Sequence, residues 1–300
     1  MVGVINFIMN INKRYGIFFV LLLAFFSQIP ARILILDVND TLYRINQKAL
    51  FNNYSFAKRL RGYFSALTYM VRGGKSYLKT CYFQELSQAA CSSTVDYQIF
   101  SDDGVTPLPP LLTESLLGNL TYEQVKNLWY AKDHADIFNK IFEFTFDPTR
   151  YVASLEPMPT VDIIQRYAQE KDEHGNPKNY FILLSNFAPE MIAPFKEKFK
   201  STIMAWVGCD DNCIFSGEYH CCKPGPKIYA ICYERILQIY ALHPEQKDQH
   251  VFFFDDQSVN CNALAKYLNE YFAPGQLICA HPDHMENTLA NNNALPVAGA

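Results

Sequence analysis

The stretch ILILDVNDTLYR (residues 33–44) decides how the chain is read. Four apolar residues run directly into Asp37, and Val38, Asn39, Asp40, Thr41 and Leu42 follow. A continuous apolar run fits a strand buried on both faces of a sheet. A strand that ends in a carboxylate points to chemistry, because ligands bind outside the C-terminal edge of an open parallel sheet.

Similar runs recur along the chain: RILILDV (32–38), YFILLSN (180–186), IMAWVGC (203–209) and HVFFFDD (250–256). Each reads as a strand. Between and after them, TVDIIQRYAQEKD (160–172), APEMIAPFKEKF (188–199), PKIYAICYERILQIYA (226–241) and SVNCNALAKYLNEYF (258–272) carry apolar residues at helical spacing. Strands alternating with helices imply a parallel sheet covered on both faces, an α/β fold.

From Tyr43 to about Leu155 the pattern changes. ALFNNYSFAKRLRGYFSALTYMV (49–71), YLKTCYFQELSQAA (77–90), TYEQVKNLWYAKD (121–133) and HADIFNKIFEFTF (134–146) read as helices, and SDDGVTPLPPLLTE (101–114) as a loop. This segment, residues 45–155, is a mainly helical insertion after the first strand. Residues 32–44 and 156–284 then form the core, and 285–300 a flexible tail. Within the insertion Tyr54, Phe56, Tyr63, Phe64 and Tyr69 could line a pocket, but at helical spacing they read as core.

The 300-residue chain is 49% hydrophobic and 19% charged, which suits a globular protein with a full core. Its net charge of −4 gives no electrostatic case for nucleic acid or for an anionic membrane surface. At the N-terminus Lys13 and Arg14 precede the apolar run YGIFFVLLLAFF, and SQIPA follows, ending at Ala31. That order is the order of a secretory signal peptide. The expectation is removal of residues 1–31 and a periplasmic or secreted protein; retention of residues 16–30 as a membrane anchor is the alternative. The nine cysteines are compatible with an oxidising compartment. Cys81 with Cys91, and Cys209 or Cys213 with Cys221 or Cys222, are the disulfides expected; zinc on Cys209, Cys213, His220 and Cys222 matches no strong spacing and ranks below them.

Four segments carry chemistry. Asp37 ends one strand, Ser185 ends another before Asn186, Lys223 opens KPGPKIY ahead of a helix, and Asp255 and Asp256 end a further strand in VFFFDDQSVN. Asp37 can attack phosphorus and form an aspartyl phosphate. Carboxylates repel a phosphate dianion, so a cation is needed, and Asp37 with Asp255 suits Mg²⁺, a hard ion that prefers oxygen ligands. Lys223 would neutralise Asp37 and the phosphate, while Ser185 and the amide of Asn186 would donate to phosphate oxygens. Asp256 and Thr41 are supporting residues, Thr41 bracing the turn after Asp37, and His220 reads as structural.

This order of motifs resembles the haloacid dehalogenase (HAD)-like superfamily of aspartate-nucleophile hydrolases, over residues 33 to about 272. The resemblance implies a Rossmann-like parallel sheet core, with the insertion standing as the family's first, helical cap. EPMPTVDIIQRYA, just before the second strand, looks like the family's return from cap to core. In the family's phosphatases the residue two after the nucleophile is usually a second aspartate, which protonates the leaving oxygen and then deprotonates the attacking water. Here it is Asn39. A carboxamide cannot shuttle a proton, although its backbone carbonyl can still coordinate Mg²⁺, the position's other role in the family. Losing such an acid–base group typically costs about 10²–10⁴-fold in rate. Asp40 is adjacent but should point elsewhere.

Three readings follow from the resemblance. The leading one is a Mg²⁺-dependent phosphohydrolase, slowed or restricted by Asn39, acting on a small phosphorylated substrate or, less readily, a phosphoprotein. The alternative is a catalytically inactive protein that binds a phosphorylated ligand or a protein partner. A dehalogenase-type enzyme, whose branch also lacks the second aspartate, needs no metal, and the acid pair in FDDQSVN argues against it.

Overall fold

The structure is a computed structural model that describes residues 32–46, 56–95, 98–100 and 106–291. The predicted signal peptide, Tyr54, the side chains of Phe56, Tyr63 and Phe64, and the end of the predicted tail lie outside the described residues. Among the described residues no helix is long and apolar enough to cross a membrane.

The core is a five-stranded parallel sheet. β1 (Arg32–Leu36) lies at its centre, flanked by β4 (Asn179–Ser185) and β6 (Val251–Phe254). β5 (Cys213–Phe215) adds beyond β4, and β7 (Leu277–Ala280) beyond β6. Successive side chains of a strand point to opposite faces, so an unbroken apolar run supplies both. Leu34, Leu36, Phe181, Leu183, Phe252 and Phe254 fill one side of the sheet. Ile33, Ile35, Ile182, Leu184, Val251 and Phe253 fill the other. Helices α6 (Pro159–Ala168), α7 (Pro189–Lys198), α10 (Pro226–Leu242) and α11 (Ser258–Leu268) follow the apolar spacing and cover these faces.

Several expectations are corrected. The run IMAWV forms the short helix α8 (Ile203–Val207), and the strand is the three-residue CIF of β5 beyond it. Five apolar residues are compatible with either state, and here Ile203 and Val207, four apart, turn together into the core. The predicted flexible tail is ordered at its start: α12 (Met285–Asn291) buries Met285 and Leu289 on one face and pairs Glu286 with Arg166 at 2.6 Å. The expected disulfides do not form, since all nine cysteines are free. Cys213 packs on one face of the sheet, Cys221 on the other, and Cys222 in a third cluster with Ile99 and Leu117. The same separation removes the zinc alternative, and His220 instead donates from Nδ1 to the Leu117 carbonyl at 2.9 Å.

The cap is helical and has its own core. The two helices predicted for residues 49–90 run as one, α1 (Phe56–Ser87), through Gly74, whose φ of 70° is a conformation that favours glycine. The stretch 101–114, expected to be a loop, contains the start of α2 (Pro110–Leu116). α3 (Tyr122–Tyr130) begins at a capping box between Thr121 and Gln124. α4 (Asp136–Phe146) and α5 (Pro148–Ser154) complete the unit. Trp129 is buried at its centre, stacked on Phe142 with centroids 4.8 Å apart and on His134 at 3.7 Å. Tyr69 packs on Phe138 at 4.9 Å, as core.

Cap and core meet at a ribbon of two strands and at side-chain contacts beyond it. The chain leaves the core through β2 (Tyr43–Ile45) and returns through β3 (Leu155–Pro157), and these pair antiparallel as a two-stranded ribbon. Farther out, Ser216, the first residue of the short helix α9 (Ser216–Tyr219), donates from Oγ to the Leu116 carbonyl at 2.6 Å, and Glu190 accepts from the Tyr122 N–H at 3.0 Å. Gly118 (φ 72°) sits there against Gly217, where a Cβ would come within 2.7 Å of the Gly217 carbonyl oxygen, so the contact requires glycine.

Candidate active site

The strand ends converge on a buried ion-paired cluster. Asp37 follows β1 and its N–H bonds the Phe254 carbonyl of β6 at 3.0 Å. Lys223, from the loop before α10, places Nζ 2.7 Å from Asp37 Oδ1 and 2.5 Å from Asp255 Oδ2. Asp255 is held further by the Gln257 N–H at 2.9 Å and by Asn260 Nδ2 at 3.1 and 3.2 Å. Burial works against the Lys223 ammonium, but Asp255 and Asp37 overcome it and raise its pKa, so the lysine stays charged.

Lys223 is set from its main chain. Asn186 Oδ1 accepts from the Lys223 N–H at 2.8 Å, and Asn186 Nδ2 donates to the Lys223 carbonyl at 3.0 Å. The Asn186 carboxamide is thus committed to positioning the lysine. Ser185 Oγ, beside Asp37, is buried without a hydrogen-bond partner of ordinary geometry, and its proximity still lowers the Asp37 pKa slightly against the other influences. An orphaned hydroxyl at a strand end costs free energy unless a ligand accepts from it.

Asp37, Asp255 and Asp256 bring carboxylate oxygens within 4.8 Å of one another, and among the described residues this is the one group of acids, histidines and cysteines able to hold a metal ion. Fully ionised, three carboxylates against one ammonium would carry a net charge of −2. Burial, together with repulsion from Asp255, pushes Asp37 up to about 6 despite the Lys223 ammonium beside it. Asp256 goes up to about 8, again first through burial and then through Asp37 and Asp255. Crowded acids that resist ionising together are what a divalent cation relieves, so the donor set fits Mg²⁺.

The remaining predicted residues fall nearby. Asn39 Oδ1 accepts from the hydroxyl of Tyr151 on α5 at 2.9 Å, tying the loop after Asp37 to the cap. Asp40 takes a positive φ of 53° and is exposed, its N–H bonded to the Tyr43 carbonyl at 2.7 Å. It lines the same cavity as Asn39, and after burial its charge is the next cause that raises the Tyr151 pKa. Thr41 braces the turn through its carbonyl, which accepts from Thr160 Oγ1, and not through its hydroxyl, which is buried without a partner. Sequence reasoning passed over Asn260 and Tyr151. Asn260 was signalled by its place in DDQSVN, in the first turn of the helix after the acid pair; Tyr151 had no signal, since only folding brings it to a residue 112 positions away.

A cavity of about 450 Å³ opens from this cluster toward the cap. Asp37, Asp256, Lys223, Ser185 and Asn186 form its floor. Tyr82, Phe83, Phe100, Leu112, Phe146 and Tyr151 are among the side chains above.

No family model matches the chain, and neither does any curated protein. Among solved structures it is similar to a HAD family enzyme of Bacteroides thetaiotaomicron, at 14% identity over 84% of this chain and 93% of that one, with a TM-score of 0.42. The wild-type complex of that enzyme with magnesium and inorganic phosphate aligns over the same shares at 15% identity and a TM-score of 0.41. Its magnesium complex aligns over 85% and 94%, again at 15% and 0.41. In this chain's own structure, the parallel sheet, the helical cap after β1 and the acids at the strand ends form the arrangement that the sequence resemblance to the haloacid dehalogenase superfamily implies.

Proposed function

We propose that the protein is a Mg²⁺-dependent phosphohydrolase that works through an aspartyl phosphate on Asp37. The observation that carries this reading is the Lys223 ammonium held between Asp37 and Asp255 on a buried cavity floor. Asp37, Asp255 and the backbone carbonyl of Asn39 would hold the ion, with Asp256 beside them. When bound, Mg²⁺ offsets the charge that develops on the transferring phosphoryl group. Lys223 keeps Asp37 ionised and aimed. Ser185 Oγ, which has no hydrogen bond of ordinary geometry, and the Asn186 backbone N–H donate to the phosphate oxygens.

Asp37 attacks phosphorus, and the leaving oxygen departs without a proton from Asn39. A second reading has one observation in its favour: the Asn39 carboxamide is engaged by Tyr151 and carries no titratable proton, which suits a protein that binds a phosphorylated ligand without turning it over. Hydrolysis of an activated phenyl phosphate, with Mg²⁺ and with chelator, decides between them. Metal-dependent turnover should fall about 10³-fold or more in Asp37→Asn, and Asn39→Asp should exceed the parent. Silence in both the parent and Asn39→Asp, with phosphate analogues still bound, selects the binding protein.

A further inference from the structure

We infer that the cavity takes the aryl group of a phosphate monoester whose leaving oxygen is phenolic. This rests on the phosphohydrolase reading and names its substrate class. Two independent features meet in it.

The first is the wall. Above its polar floor the cavity is faced by Phe83, Phe100 and Phe146, with Leu108 and Leu112 beside them. At about 450 Å³ it lies within the usual range for small-molecule sites, roughly 300–1,000 Å³. A sugar placed there would turn most of its hydroxyls toward rings and leucines, and each one left unpaired costs about 1–3 kcal/mol. An aromatic ring makes offset and edge contacts with such a wall. The polar groups within it include the Tyr82 hydroxyl, buried beside Thr145 without a hydrogen bond of ordinary geometry, together with Ser115, Lys75 and Lys79. The Tyr82 hydroxyl suits a polar substituent on a ring.

The second is Asn39. An alkyl phosphate expels an alkoxide, which needs a proton as it leaves. A phenol ionises near pKa 10, several units below an aliphatic alcohol, so a phenolate leaves without one. In the first step an Asp37 oxygen forms its bond to phosphorus while the bond from phosphorus to the aryl oxygen breaks, and the phenolate carries away the electron pair. In the second, water attacks the same phosphorus, its bond to the Asp37 oxygen breaks and the carboxylate is released, and both protons of the water end on the phosphate as H2PO4⁻. No group of the protein changes its proton count. The second step lacks a base and is the slower one, so the aspartyl phosphate accumulates.

Rapid mixing of the parent protein and Mg²⁺ with 1-naphthyl phosphate should release close to one equivalent of naphthol in a burst, followed by slow turnover. Glycerol phosphate, glucose 6-phosphate and adenosine monophosphate should show no burst and a kcat/KM at least about 10²-fold lower. In Asn39→Asp that aryl preference should shrink by at least tenfold, because the alkyl esters gain most. Phe83→Ala and Phe100→Ala, each at a partly exposed ring, should raise KM for the naphthyl ester. A phosphotyrosine peptide in the same assay separates a free aryl phosphate from a peptide-borne one. Acetyl phosphate separates the two proposals, since it needs neither a proton nor an aromatic site. If it is hydrolysed in an Asp37-dependent way while aryl and alkyl esters react alike, the aryl inference is overturned and the phosphohydrolase stands. If the naphthyl KM ignores both phenylalanines, the cavity is not the aryl site. If no phosphate compound is turned over or labels Asp37, both fall.

Discussion

The sheet and the cap both close around apolar side chains, but they use them differently. In the sheet, apolar residues are continuous along each strand and stop at a polar residue, so the strand that builds the core also delivers Asp37, Ser185 or Asp255 to one edge. Packing and chemistry are written in the same few residues. In the cap, rings from α1, α3 and α4 pack inward around Trp129, and what remains on the core-facing side becomes the cavity wall. There, packing comes first and the binding surface is its by-product. A core of this kind can keep its chemistry while a cap of this kind changes its wall.

That contrast can be broken at its strongest point by Trp129→Ala. Removing a buried indole that stacks on Phe142 and His134 should cost about 3–5 kcal/mol. If the two regions are separately packed, hydrogen exchange should quicken across α1, α3 and α4 while β1, β4 and β6 keep their protection. Equal loss in both would make them one cooperative unit.

Asn186→Ala sharpens the comparison on the core side. It removes both hydrogen bonds to the Lys223 main chain, and kcat should fall about 10–100-fold, about 1.4–2.7 kcal/mol in the barrier, alongside a drop in the melting temperature. A drop in melting temperature without one in kcat would make the contact structural.

The smallest effect is expected at the joint. Lys198 on α7 donates to the carbonyls of Val152, Ala153 and Leu155 at 2.8, 3.0 and 2.8 Å, where the cap returns to the core. The side chain is exposed to solvent, so Lys198→Met should cost about 1 kcal/mol or less, roughly 2–4 °C in a thermal melt.

What was legible in the sequence follows the same division. RILIL, YFILLS and VFFF announced the three central strands because each holds an unbroken run of at least four apolar residues, and the polar residues at their ends announced the site. The edge strands were not legible: CIF and LICA are short, and IMAWV, a helix, looks more like a strand than either. Short helices starting at Pro110 and Pro148 were hidden in proline-containing stretches that also suit turns. The cavity wall could not be read at all, since Tyr82, Phe100, Phe146 and Tyr151 come from separate segments and nothing local marks them as neighbours. The same holds for the contact between Tyr151 and Asn39, although Asn39 itself was conspicuous.

The ribbon of β2 and β3 has a consequence for how such a molecule can change over time. Ile45 lies opposite Leu155 across a hydrogen-bonded pair of strands, so everything between them leaves and rejoins the core at neighbouring points. Closing a loop costs only slowly more free energy as it lengthens, about 0.6 kcal/mol per doubling. An insertion anchored in this way can grow, shrink or be exchanged between lineages without shifting the register of a single strand in the sheet. The ribbon is the socket that makes the cap an interchangeable part.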